Sequence, residues 1–101
     1  MVVNLISRKA LQAFAVLHPD AREPLDRWYH VARKAKWLNL GQVRRDFPHI
    51  DTVGNCTLFN IAGNKYRLIV KIRYEYQTIY VRLILTQASY KRGGWKNDCG
   101  G

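Results

Sequence analysis

The chain has 101 residues, 17 of them Lys or Arg against seven Asp or Glu, a formal net charge of +10, and 48% of it is hydrophobic. That length suits one domain of two or three layers over a real core, and the apolar share excludes a disordered chain. The charge favours an anionic partner, and the aromatic residues set among the cations tilt that choice towards nucleic acid.

No long uncharged apolar run is present for a transmembrane helix, and the N-terminus lacks the basic, apolar and small-residue order of a signal peptide. A cytoplasmic protein without membrane association is expected. Cys56 and Cys99 lie far apart, with no CxxC and no His at ligand spacing. Free thiols, no metal and no cofactor follow as expectations.

In chain order, Val2 to Ile6 reads as a short strand, and Ser7 as the N-cap of a helix over Arg8 to Leu17. Leu11, Phe14 and Ala15 share one face of it, and His18-Pro19 ends it. Asp20 and Glu23 have the spacing of a capping box for a second helix, in which Leu25, Trp28, Tyr29 and Ala32 repeat as a core stripe with His30 at its boundary. A third helix lies within Trp37 to Phe47, capped by Asn39 and packing through Leu40, Val43 and Phe47. Ile50 to Val53 is then an edge strand, turned by Gly54-Asn55.

From Cys56 to Thr86 the pattern is that of two hairpins sharing a strand, with two-residue turns at Gly63-Asn64 and Glu75-Tyr76. Residues of one parity then share a face. One face collects Thr57, Phe59, Ile61, Tyr66, Leu68, Val70, Ile72, Ile79, Val81, Leu83 and Leu85, which is a core face for the helices to cover. The other carries Asn60, Lys65, Arg67, Lys71, Arg73, Tyr80 and Arg82 around an apolar strip of Leu58, Ile69 and Ile84, with no acidic residue. Cations ordinarily solvate such a face. A set without any carboxylate points more to polyanion binding.

Beyond Thr86, residues 87–92 read as a helical turn and about 93–101 as a flexible, Gly-rich tail. Trp95 either docks on the apolar strip or meets a ligand. The fold class expected is α+β: one domain over 1–101, an antiparallel sheet with the N-terminal helices on one face.

No nucleophile elbow, P-loop, dinucleotide fingerprint or HExxH motif occurs, and the carboxylates are scattered. The guanidinium and ammonium groups of the sheet, beside a tyrosine and an amide, suit the grip of a phosphodiester. ISRKAL, HPDAREPLDRWY, VRRDFPHID and above all FNIAGNKYRLIVKIRYEYQTIYVR resemble the HigB toxins of toxin-antitoxin pairs, within the RelE-like mRNA interferases.

The resemblance implies a ribosome-dependent endoribonuclease acting in the A site. It also implies metal-independent attack of a ribose 2′-hydroxyl on the adjacent phosphate, and a HigA-like antitoxin as partner beside mRNA and ribosome. Arg67, at the family's NKYR position, and Arg82, at its IYIR position, become the expected phosphate contacts. Asn60, Lys65, Lys71, Arg73, Tyr80 and Lys91 support RNA binding.

Tyr90 is placed to stack on a base or exchange a proton, although an ordinary phenol is a poor base. Where the family reads Thr-His-x-Glu-Tyr-Asp, this chain has Thr86-Gln87-Ala88-Ser89-Tyr90-Lys91. Gln87 stands at the family's histidine and offers only hydrogen bonds. Two alternatives follow: a weakened or inactive toxin that only binds ribosome or antitoxin, and a gyrase-directed toxin of the same fold.

Overall fold

The computed structural model describes residues 1–100. Strand β1 (Val2–Val3) is followed by helices α1 (Leu5–Leu17), α2 (Arg22–Lys34) and α3 (Leu40–Asp46). Strands β2 (Asp51–Val53), β3 (Cys56–Ile61), β4 (Tyr66–Arg73) and β5 (Thr78–Thr86) come next, then the short helix α4 (Gln87–Arg92). The five strands form one sheet in the order β1-β5-β4-β3-β2, with β1 parallel to β5 and every other pair antiparallel. This is the α+β architecture expected of the sequence.

The strand pairing follows the turn count. Asn60 faces Arg67 and Ile61 faces Tyr66 across the first hairpin, and Arg73 faces Thr78 across the second. The first loop runs through left-handed Ala62 and Gly63, a conformation in which an L side chain at Gly63 would be strained.

Beyond Val81 the count fails. Val70 pairs with Val81 but Ile69 pairs with Leu83, so Arg82 is the extra residue of a β-bulge. One inserted residue flips the rest of β5 to the other face. Leu83 and Leu85, expected in the core face, join the outer strip with Leu58 and Ile69, while Ile84 packs against the main core instead.

The bulge has an identifiable partner. Ser7, expected to cap α1, is buried, and its hydroxyl accepts the Val81 amide at 2.8 Å. Strand β1 stops at Val3, so without Ser7 that amide would lack a partner beyond the short parallel ladder. The N-cap of α1 is Asn4, whose Oδ1 accepts the Ile6 amide at 3.0 Å, and the helix therefore starts at Leu5, inside the run expected to be a strand.

Between α1 and α2, Pro19–Ala21 forms a 3₁₀ turn, and α2 receives no side-chain cap. Asp20 is not a capping residue here. Its carboxylate accepts from the Tyr66 hydroxyl at 2.6 Å and from Lys65 Nζ at 3.1 Å, which ties the helical layer to the first hairpin.

The rest of the helical layer follows its periodicity. Leu11, Leu25, Trp28, Ala32 and Val43 are buried against Phe59, Leu68, Val70 and Ile79 of the sheet, with the Trp28 and Phe47 rings edge-on to Phe59. Asn39 caps α3 as expected, accepting the Gln42 amide at 3.0 Å.

Candidate functional site

The opposite face of the sheet is covered as well. Cys56, Leu58, Ile69, Trp95 and Cys99 form a second buried cluster, flanked by Leu83, Leu85 and Tyr90. The chain reaches this face through α4. Thr86 Oγ1 accepts the Ser89 amide at 3.3 Å, and left-handed Gly93 closes the other end, its amide reaching the Tyr90 carbonyl at 3.2 Å. A turn pinned at both ends aims Tyr90 back over β4.

Residues 94–99, expected to be flexible, form a 3₁₀ turn that folds across the apolar strip. Trp95 is 7% exposed and docks on that strip, one of the two alternatives its sequence position left open. Cys56 and Cys99, expected as free thiols, are joined by a disulfide across 43 residues of chain. The backbone supports the same closure, because the Asn55 amide donates to the Cys99 carbonyl at 3.0 Å. Residues separated this far in sequence give no spacing signal of their proximity, which only the hairpin and the returning tail create.

At the end of β4 the expected site residues Arg67, Asn60 and Tyr90 come together. Asn60 Oδ1 accepts a hydrogen bond from Arg67 Nη1, as cross-strand pairing allows. The guanidinium lies over the Tyr90 ring, Cζ 4.6 Å from its centroid, and Trp95 stacks on the other partner at 5.2 Å and 16°. Trp95 Nε1 also donates to the Tyr90 carbonyl at 2.9 Å. The result is a layered stack of guanidinium, phenol and indole, in which Arg67 is held by face and by edge.

Asp51 joins this end, its carboxylate 3.9 Å from Arg67 Nη1. It lies opposite Leu58 on the edge strand, so extending the turn count across Gly54-Asn55 places it on this face. Arg67 Nε is buried and has no hydrogen-bond partner, and the same holds for Gln87 Oε1. Gln87 opens α4 one helical turn before Tyr90, within reach of the same end of the sheet.

The other expected cations are dispersed. Lys65 is drawn towards the helices by Asp20, Arg73 pairs with Glu75 at 3.0 Å, and Arg82 pairs with Asp98 of the tail at 3.5 Å. A face without carboxylates was expected; folding brings Asp51 and Asp98 to it. Lys71 and Tyr80 are cross-strand neighbours towards the far end, and Lys91 is exposed on α4. The tail thus divides the outer face into an Arg67 end and a Lys71 end.

Hydrogen bonding shifts the acidity of two groups where the helical layer meets the first hairpin. The Tyr66 hydroxyl and Lys65 hold the Asp20 carboxyl below its ordinary range, and the same bond to Asp20 raises the Tyr66 phenol. Among the described residues no helix is long and apolar enough to cross a membrane.

Comparison with known proteins agrees with this architecture. Residues 21–93 match a family described as HigB toxin, the RelE-like toxic component of a toxin-antitoxin system. Two curated relatives, the mRNA interferase toxin HigB of Escherichia coli and the mRNA interferase HigB of Shigella flexneri, are each 25% identical over 91 residues, covering 87% of this chain and 88% of theirs. With an α+β fold and a family match over residues 21–93 of its 101, the chain belongs to the HigB family of RelE-like toxins.

Proposed function

We propose that this protein is an mRNA interferase that cuts message in the ribosomal A site and is neutralised by a HigA-like antitoxin, acting in the cytoplasm. The observation that carries this reading is the Arg67 guanidinium, oriented by Asn60 and Tyr90 at one end of the basic face. A fixed guanidinium suits a phosphate whose charge grows as the ribose 2′-hydroxyl attacks.

In this reading Arg67 binds and stabilises the attacked phosphate. Arg82 reaches RNA by exchanging Asp98 for a phosphate, while Lys71, Arg73, Tyr80 and Lys91 guide the strand from the far end, with Lys65 supporting the near loop. The ribose 2′-hydroxyl and its phosphate belong to one strand, so the protein has mainly to position that strand and to stabilise the developing charge. Gln87 orients the substrate through its amide, and the Tyr90 hydroxyl is the group available for proton exchange.

Cleavage of mRNA on translating ribosomes, mapped by primer extension, tests the assignment. Wild-type protein cuts within the A-site codon and Arg67→Ala does not. A second reading, a toxin that binds ribosome or antitoxin without cutting, is favoured by one observation: an amide at Gln87 where the family motif has a histidine. Ribosome binding without any cut would select it.

A further inference from the structure

The stack beneath Arg67 ends in a segment that the family match does not include. That match stops at residue 93, whereas Trp95, Asp98 and Cys99 follow it. Cys99 is fully buried and bonded to Cys56, the first residue of β3. The clamp on the Arg67 end therefore joins a cysteine inside the matched residues to a tail that lies outside them.

Other fastenings of the tail are slight. Asp98 and Arg82 form an exposed ion pair, a contact of small net value, and one backbone bond joins Asn55 to Cys99. What remains is the apolar contact of Trp95 with the strip, which is strong only while the six-residue turn is kept close. The disulfide supplies that closeness by joining the two ends covalently.

Trp95 in turn holds Tyr90 twice, by ring stacking and by the indole donor to its carbonyl. Tyr90 is the surface on which Arg67 rests. We propose that Trp95, clamped by the Cys56–Cys99 disulfide, is a positioning residue for Arg67, so that the site is ordered while the disulfide is intact and loosens when a thiol reductant opens it. The effect on cleavage rests on the nuclease reading; the effect on Arg67 does not.

Opening is a balanced two-electron exchange. Both sulfurs are buried, so the tail must lift before a thiolate of a dithiol reductant attacks one of them and its second thiol resolves the mixed disulfide. Cys56 and Cys99 leave as two thiols, having gained two electrons and two protons, and the reductant leaves as its cyclic disulfide. Cytosolic thiol pools favour the open form of many such bonds, so in the cytoplasm the loosened site is the resting state and oxidation of the pair is what orders it.

The test uses the full chain, oxidised or treated with dithiothreitol, with Trp95→Ala, Trp95→Phe and Cys99→Ala beside it. Two readouts are taken: single-turnover mRNA cleavage on ribosomes, and the Arg67 Nε–Hε resonance, which the Tyr90 ring shields. Reduction and Trp95→Ala should each slow cleavage about 10-fold to 100-fold, the scale of a small misplacement, with ribosome affinity changed less than about twofold. Both should move the Arg67 resonance downfield. Trp95→Phe keeps a stacking face and should retain most of the rate, while Cys99→Ala should be slow and indifferent to reductant.

A resonance that stays fixed on reduction overturns the proposal, whatever the cleavage rate, and so does measurable cleavage that is equal in oxidised and reduced wild-type protein. If oxidised protein cuts nothing while the resonance responds, the positioning role stands and the nuclease reading fails. Should Trp95→Ala not fold, reduction of the wild-type chain decides alone.

Discussion

The Arg67 guanidinium rests on the Tyr90 ring, with Cζ 4.6 Å from the ring centroid, while its Nη1 donates to Asn60 across the β3–β4 pair. Two kinds of contact fix a planar group in two directions; an ammonium ion could make either one but has no plane for the two together to orient. Arg67→Lys should therefore lose most of the cleavage rate, on the scale of about 100-fold to 1,000-fold seen for a removed oxyanion donor. Single-turnover cleavage on ribosomes measures it. A rate within threefold of wild type would show that charge alone is needed. The side chain is only 15% exposed, so Arg67→Ala should also lower stability, by about 1 kcal/mol.

The bulge at Arg82 puts Leu83 on the strip beneath Trp95. Leu83→Ala and Trp95→Ala should accordingly couple in a double-mutant cycle by about 0.5 to 3 kcal/mol in denaturant unfolding. An unbulged strand would send Leu83 to the helical side, where the two changes would be additive.

Salt dependence should be shallower than the number of basic residues suggests. Lys65, Arg73 and Arg82 have carboxylates within 3.5 Å, whereas Asp51 stands 3.9 Å from Arg67 and is 66% exposed, which leaves Arg67, Lys71 and Lys91 as the main net neutralisers of phosphate. Three such contacts on a single strand predict a slope of log affinity against log salt of roughly −2, where five free cations would give about −3.5. Titration of an RNA oligonucleotide across salt concentrations distinguishes these values.

The Asp20–Tyr66 bond gives stability a window in pH. Asp20 is held below its ordinary carboxyl range, so its contribution is present at neutral pH and is lost as pH falls through the folded value. Tyr66 is raised above the ordinary phenol value of 10.0, so its contribution is present below that value and is lost as pH rises through the folded one. The melting temperature of wild type should exceed that of Tyr66→Phe near neutrality, with the gap closing at both extremes. A gap independent of pH would assign Tyr66 to packing alone.

Gln87→His restores a proton-transfer group at the start of α4. If proton transfer limits the cut, cleavage should rise by about 100-fold with ribosome affinity unchanged, because only the transition state gains. An unchanged rate in an already potent enzyme would make Gln87 a substrate contact and leave proton exchange to Tyr90.

The amino-acid sequence by itself determined the helical stripe of Leu25, Trp28 and Ala32, the pairing of Asn60 with Arg67, and the parity of β4. Those depend on short-range rules: a turn fixes register, and register fixes which side chains share a face. The same rules set Asn60 opposite Arg67, whereas only the family motif singles out Tyr90, and the fold alone laid its ring against the guanidinium. Only the tertiary structure decided where parity breaks, because the bulge at Arg82 is met by the Ser7 hydroxyl, 74 residues away. It likewise decided which cations keep a carboxylate and that Cys99 returns to Cys56, since a charge pair or a disulfide depends on which distant segments packing brings within a few ångströms of each other.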